Sequence, residues 1–365
     1  MNAAIISMGS ISSKWTYDAM KKYFDEVDHL DIKSIEVDIS NKPVILYKGK
    51  AIKHYDCIYA KGSFKFAMAL RALTDVVKSY NNNVYIPYEP DSYTVGHDKI
   101  LTHLKLLHNQ IPTPATYIAS SPEAGKQILE KMNYPIVMKI PSGTQGKGVM
   151  FADSFSSASS MLDTLTTLRQ PFLIQEFVET GTTDYRLIVV GDRVVAAMKR
   201  VGKKDEKRAN IHAGAVGEQI IPNEEIKRIA IKTAKTVGAE ICGVDILDSA
   251  LKGPLVIEVN LSPGLQGIKD ATKTDVADTI AKHLADKTKQ IQKGTEKKKS
   301  DDVFDVINSD KSKKACIITN LSMRGSKLIL PEIANKMSGV TDETEVELCL
   351  EKNFISIKKT NNKLI

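Results

Sequence analysis

GVDILDSALKGPLVIEVNLSPGLQGI, residues 243–268, holds two short apolar runs broken by acidic and amide side chains, then a Ser-Pro-Gly turn. The runs around Asp245 and Glu258 are rich in Val and Ile and read as strands. Side chains alternate across a strand, so Glu258 and Asn260 share one face while Ile257 and Val259 take the other. Asp245 is expected on the adjacent strand. Three oxygen donors gathered in this way suit a hard cation such as magnesium, with coordination places left for phosphate and water. An isolated Glu-x-Asn also fits a polar sheet face. Asp245 beside it and NLSPG directly after it favour the metal. One or two ions bridging the β- and γ-phosphates would polarise a γ-phosphoryl group for transfer.

Upstream, MKIPSGTQGKGVM (residues 138–150) sets Gly143, Gly146 and Gly148 among Ser142, Thr144 and Lys147. Glycines let backbone N–H groups come close to phosphate oxygens and let a loop close as a lid. The pattern is not a Walker A loop, because Lys147 is followed by Gly148 and not by Ser or Thr. Its apolar flanks fit a plain β-hairpin as well. Lys139 stands inside the apolar run IVMKI. It either points to solvent at an edge or projects into a cleft as a compact charge for a nucleotide phosphate. Lys99, in GHDKILTHL, opens a helix, where a cation opposes the helix dipole.

Between these motifs, DYRLIVVGDRVVAAMKRV reads as a hairpin turning at Gly191-Asp192. Asp184 and Arg186 alternate with Ile188 on its first strand. Arg200, Arg208 and Asn210 follow, a set able to clamp carboxylate and phosphate oxygens. The basic run from Lys199 to Arg208 also fits a solvated loop. The uncharged ANIHAGA after it looks like a loop descending into a site. His212 would need an orienting partner to act as a general base, and none is visible in the sequence.

At 365 residues the chain is long for one core, so two or more domains are expected. Alternating strands and helices over residues 1–95 argue for a parallel α/β domain, with strand runs at 3–8, 56–62 and 83–88 and a helix from Thr16 through Phe24. Its first turn, MGSISSKW, lacks the G-x-G-x-x-G of a dinucleotide site. Residues 96–285 carry the motifs above and include a small subdomain at about 110–178; their last helix is expected from Asp275 to about Leu284. DKTKQIQKGTEKKKSDD, residues 286–302, is expected as a solvated lysine-rich linker. Residues 303–365, with KACIITN, SKLILPEIANKM and EVELCLEKNFISIKK, are expected as a small β-rich or α+β module.

The net charge of +7 fits anionic substrates such as nucleotides without requiring them. An aromatic share of 6% with one Trp argues against a base-stacking surface. The four cysteines show no metal-ligand spacing and read as free thiols in a reducing, cytoplasmic setting. The start resembles a first strand and not a signal peptide, and no run of about 18 apolar residues suggests a membrane span.

The order of Lys99, Lys139 with GTQGKGV, QEFV, DYR, RAN, VD and EVNLSPGLQGI resembles the ATP-grasp superfamily, and within it the RimK-like α-L-glutamate ligases. The resemblance covers about residues 1–285 and is most specific at Glu258 to Ile268. Gln266 departs from it, standing where the family commonly has an acid. The resemblance implies an α/β fold of ATP-grasp type: an N-terminal α/β domain, a lid and a central domain, with ATP between the last two. It implies that Lys99 and Lys139, with Gly146, Lys147 and Gly148, hold the phosphates of ATP. Gln175, Glu176, Phe177 and Val178 would flank the adenine, and Asp184 would approach the ribose. Arg208 and Asn210 would meet the phosphates and the reacting carboxylate, with Arg186 in the same machinery. Asp245, Glu258 and Asn260 would bind magnesium, or manganese in its place. Ser262 to Gly264 would shape the amino-acid end of the site.

The activity so implied is addition of L-glutamate to a carboxylate acceptor, a coenzyme or a protein C-terminus, through an acylphosphate. The absence of a nucleophile elbow or a Cys/His pattern agrees, because such a route needs no covalent enzyme nucleophile. A ligase for a different amino acid or small acid is the alternative. The C-terminal stretch is similar to swapped-hairpin (AbrB-like) modules, which makes homo-oligomers expected. An alternative of another class is then a nucleotide-sensing, DNA-binding regulator, although DNA is not expected as a partner.

Overall fold

The computed structural model describes residues 1–40, 42–80, 83–141, 148–202, 216–308, 322–324, 327–329, 341, 344–351 and 354–359. Contacts divide the chain into two compact units, Met1–Ile291 and Gln292–Ile365.

The first unit enters on β1 (Asn2–Ser7) and passes through α1 (Ile11–Met20) to β2 (Glu26–Asp31). A meander of β3 (Ile35–Asp38), β4 (Val44–Tyr47) and β5 (Lys50–Ala51) leads to β6 (Cys57–Ala60). β1 pairs in parallel with both β2 and β6. Ala3 to Ile6 and Cys57 to Ala60 are buried without alternation, as parallel strands covered on both faces require. The helix predicted from Thr16 starts earlier because Ser10 caps it, accepting from the Ser13 amide. The strand predicted at 83–88 is reduced to two isolated bridges, Tyr85 to Cys57 and Tyr88 to Ala239; Pro87 between them has no amide hydrogen to join a ladder.

Helices α2 (Ala67–Tyr80), α3 (Pro90–His97) and α4 (Lys99–His108) follow. Asp98 separates the last two. Its Oδ1 accepts from the Ile100 and Leu101 amides at 2.8 and 3.0 Å. That cap makes Lys99 the first helical residue and sets a carboxylate beside it, which offsets the unfavourable dipole.

Next come β7 (Thr116–Tyr117), α5 (Pro122–Leu129), β8 (Ile136–Lys139), β9 (Val149–Ala152), α6 (Phe155–Thr167) and β10 (Leu173–Glu176). They form an antiparallel sheet ordered β7–β10–β8–β9. Leu129, Ile136, Met138, Leu162 and Ile174 centre a hydrophobic cluster of its own, separate from the main core.

The largest sheet uses β11 (Thr183–Val190), β12 (Arg193–Val201) and β13 (Val216–Gln219), then, after α7 (Glu224–Val237), β14 (Ile241–Ser249) and β15 (Gly253–Asn260). Its order is β13–β12–β11–β14–β15. Helix α7 packs on β11, β12, β14 and β15 through its buried stripe of Ile226, Ile229, Ala230, Thr233, Ala234 and Val237. Asn223 caps its start, and Gly238 ends it at φ +79°, where a Cβ would also meet Glu89 at 3.0 Å. Tyr88 fastens the parallel sheet side to this one: its hydroxyl donates to the carbonyls of Ile241 and Leu261 at 3.0 and 2.9 Å.

Helices α8 (Gln266–Thr272) and α9 (Val276–Asn308) complete the run. Residues 286–302, expected as a solvated linker, are helical as part of α9. Lys, Glu and Gln are good helix formers and the segment holds no proline, so high charge did not preclude a helix. Thr288 is even fully buried, its hydroxyl on the Leu284 carbonyl.

In the second unit, β16 (Ser322–Arg324) pairs antiparallel with β17 (Lys327–Ile329), and β18 (Val346–Glu351) with β19 (Phe354–Lys359). KACIITN at 314–320 lies outside the described residues. Among the described residues no helix is long and apolar enough to cross a membrane.

Candidate active site

Strand register lines the charged residues up. Asp184 stands opposite Arg200, Arg186 opposite Asp245, and Asp245 opposite Glu258. Cross-strand partners share a face, so Arg186, Asp245 and Glu258 form one row. Asn260, opposite Gly243, lies two residues beyond Glu258 on the same face. A bulge leaves Ile257 unpaired, with Val256 opposite Ile246. Val256 therefore faces away from Glu258 although the two are two residues apart.

Arg186 grips Asp245 through two parallel bonds, Nε to Oδ1 at 2.8 Å and Nη2 to Oδ2 at 2.7 Å. Arg200 does the same to Asp184, at 2.6 and 2.7 Å, and its Nη2 also reaches Asp245 Oδ2 at 2.8 Å. Asp245, Arg200 and Asp184 are all buried. Two guanidiniums against two carboxylates give the cluster balanced charge, which burial demands. Against the penalty of its burial, Arg186 and Arg200 hold the Asp245 carboxyl at about 2. Burial pushes Asp184 up to about 6, against the pull of Arg200.

Asp245, Glu258 and Asn260 offer oxygen donors only, the chemistry a magnesium ion accepts. Asp245 Oδ1, which accepts from Arg186 alone, keeps a second lone pair, whereas Oδ2 accepts from both guanidiniums. Asn260 Oδ1 is oriented by the Ser262 amide at 2.9 Å. Among the described residues no three His, Cys, Asp or Glu side chains converge as a metal site, and the Asn260 amide oxygen, on the same face as Glu258, is the further oxygen donor at hand. With that amide the residues fit the ion.

Lys139 does not point to solvent at an edge. Its Nζ donates to Gln175 Oε1 at 2.5 Å. Gln175 in turn gives its Nε2 to Thr116 Oγ1 at 2.8 Å and to His103 Nε2 at 2.9 Å. His103 Nδ1 lies 3.0 Å from the Lys99 carbonyl, so Nδ1 carries the proton and Nε2 accepts. Burial, aided by Lys139, lowers the His103 pKa to about 4, which keeps the ring neutral. Burial also lowers Lys139 to about 8, with Glu258 pulling it back up and Lys99 pushing it down. Lys139 thus feels the charge of both Lys99 and Glu258. Lys99 Nζ itself reaches the Pro141 carbonyl at 3.4 Å.

Beside Gln175, Glu176 accepts from the Ala115 amide at 2.9 Å and pairs with Lys252. Phe177 meets Phe151 edge-on at 6.1 Å between centroids, and Val178 is buried. Asp184 would have to loosen its hold on Arg200 to reach a ribose. Gly148 adopts φ +80° where β9 begins, and its carbonyl accepts from the Ile140 amide at 2.9 Å. Gly146, Lys147, Arg208, Asn210 and His212 lie outside the described residues. His103 and Thr116 escaped the sequence reading. The available signal for His103 was its place one helical turn after Lys99. A groove of about 660 Å³ lined by residues of β12 and α7, Arg193 and Lys227 among them, shares no residue with this site.

The sequence profile of the RimK-like ATP-grasp domain matches residues 96–284. A protein named probable alpha-L-glutamate ligase from a Marinomonas species is 35% identical over 293 residues, covering 78% of this chain and 95% of that one. One of the same name from Thioalkalivibrio sulfidiphilus is 36% identical over 292 residues, covering 78% and 95%. Among solved structures, a RimK domain ATP-grasp protein from Sphaerobacter thermophilus superposes with a TM-score of 0.61 at 16% identity, covering 78% of this chain and 99% of that one.

Proposed function

The chain belongs to the RimK-like ATP-grasp family, and from that premise we propose that it adds L-glutamate to an acceptor carboxylate with ATP and magnesium. Membership makes it an ATP-dependent carboxylate–amine ligase; the amino acid and the acceptor are the proposed part. The observation that carries the reading is the row of Arg186, Asp245 and Glu258, with Asn260 on the same face and the Lys139 charge coupled to Glu258. The names of the relatives at 35–36% identity support glutamate.

In this reading Lys99 and Lys139 hold phosphate oxygens, each from a fixed place: Lys99 from the capped start of α4, Lys139 from a strand and a glutamine. Gly146, Lys147 and Gly148 close over them. Arg208 and Asn210 meet the phosphates and the reacting carboxylate. Glu176, Phe177 and Val178 flank the adenine, and Asp184 lies toward the ribose. Magnesium, held by Asp245, Glu258 and Asn260, supplies a Lewis acid at the phosphates. An acceptor carboxylate attacks the γ-phosphoryl group, releasing ADP and forming an acylphosphate. The glutamate amine then displaces phosphate and loses a proton, leaving an amide. Arg186 keeps Asp245 ionised and aimed through this sequence. The acceptor is a coenzyme or a protein C-terminus, and the working form a homo-oligomer.

The test is to incubate the full chain with ATP, magnesium, L-glutamate and an extract of the source cells. Mass spectrometry should then show acceptors heavier by glutamyl increments, and each omission should abolish them. A panel of amino acids run beside it would sink the glutamate assignment if another member were used in preference.

A further inference from the structure

Lys61 follows β6 directly and is only 5% exposed. Among the described residues its Nζ has no hydrogen bond and no carboxylate partner. Its near neighbour is the Tyr59 ring, with the centroid 5.8 Å away. A buried ammonium without a counter-charge is costly, and such groups are normally paired. Burial alone lowers its pKa to about 8, so it still carries its proton at neutral pH.

Its position points to what the partner is. The Lys61 amide donates to the Ile6 carbonyl at 2.9 Å, which sets it at the C-terminal end of the parallel sheet. Open α/β sheets bind ligands in the crevice outside those strand ends. Helix α1 starts from the same edge, capped by Ser10 and with no acidic residue in its first turn. The turn after the metal strand closes on both. Ser262 Oγ donates to the Gly62 carbonyl at 3.2 Å, and the Leu265 amide donates to Ser12 Oγ at 2.8 Å. The Ser262 amide is the group that orients Asn260. One turn therefore ties Lys61 and the α1 start to the candidate magnesium donors.

We propose that Lys61, with the start of α1 and the 262–265 turn, binds a substrate carboxylate that is not itself activated. This rests on the ligase reading above. The carboxylate belongs either to the incoming amino acid or to an acidic acceptor. Both present an anion that needs a cation close to, but distinct from, the phosphoryl-transfer centre.

Calorimetric titration of the full chain, loaded with magnesium and a non-hydrolysable ATP analogue, tests this with L-glutamate, L-glutamine and glutarate as probes. The wild type should bind at least one of the two dicarboxylates. Lys61→Met should weaken that binding about tenfold or more while nucleotide affinity stays within about twofold. Lys61→Gln, which keeps a polar side chain, should show the same loss. Glutamate bound better than both other probes assigns the carboxylate to the amino acid; glutarate bound as well as glutamate assigns it to the acceptor. Without ligand, Lys61→Met should melt at or above the wild-type temperature, because an uncompensated charge has gone. A lysine with a purely structural role would lower that temperature. Either variant binding the dicarboxylates within about twofold of wild type overturns the proposal. So does a nucleotide-loaded wild type that binds neither. The ligase reading fails separately, through absence of amino-acid-dependent phosphate release from the wild type.

Discussion

Arg200 reaches Asp245 at 2.8 Å with the same Nη2 that it places 2.7 Å from Asp184. One guanidinium on β12 thus links the neighbouring strand β11 to the candidate metal strand β14, two strands from β12 in the sheet order. Neither carboxylate can be altered without changing what the other feels.

Arg200→Met should destabilise the protein by about 3–5 kcal/mol, the usual cost of leaving a buried charge without its partner. Urea unfolding reads this directly. Adding Asp184→Asn should restore part of the loss, since one fewer carboxylate is then unpaired. Strict additivity of the two changes would mean the cluster is not coupled.

Glu258→Gln and Asp245→Asn should part company. Glu258 is half-buried, and its replacement should cost about 1 kcal/mol of stability or less. Magnesium-dependent phosphate release should nonetheless fall by about two orders of magnitude or more. Asp245→Asn should reduce both, because two arginines lose their counter-charge. A Glu258→Gln variant with wild-type turnover across a magnesium titration would remove Glu258 from the metal site.

The neutral His103 gives stability a pH signature. Its pKa in the fold, about 4, lies below the ordinary 6.5. Between those values the unfolded chain takes up a proton that the folded one refuses. Its contribution is complete above pH 6.5 and is lost as pH falls towards 4. Asp184, raised to about 6, acts oppositely: its contribution is present below pH 3.8 and lost as pH rises through 6. The informative quantity is therefore the difference between wild type and His103→Gln. Urea midpoints of the variant should show a shallower fall on acidification.

His103→Leu should free the Gln175 amide to turn and present its NH2 group to Lys139. The expected outcome is a rise of about threefold to tenfold in KM for ATP, equivalent to about 1 kcal/mol. The kcat for phosphate release should change less. Nucleotide titration of the variant checks this, and an unchanged KM would show that Gln175 keeps its orientation through Thr116 alone.

The sequence was most legible where a side chain's place follows from strand alternation. Glu258 and Asn260 on one face, Asp245 on the neighbouring strand, and the turn at Gly191 all follow from local pattern. The register was not legible, because nothing in either strand alone says that Arg186 meets Asp245. Nor was the bulge at Ile257, which depends on how β14 twists against β15. His103 was hidden for a different reason: a histidine on a helix looks like any other until Gln175, 72 residues away, is brought against it. The helix over 286–302 was not legible because a dense run of charge fits a solvated segment and a helix alike, and Lys, Glu and Gln favour the helix without marking it.

The strand that carries Gln175 and Glu176 is joined to its surroundings by two kinds of contact. His103 to Gln175 is buried and made between neutral groups. Lys252 to Glu176 is an ion pair with its lysine half exposed. Dissolved salt screens the second and leaves the first nearly untouched. The nucleotide cleft would then have one fastening that ionic strength can loosen and another that answers only to temperature and to the proton on a single imidazole.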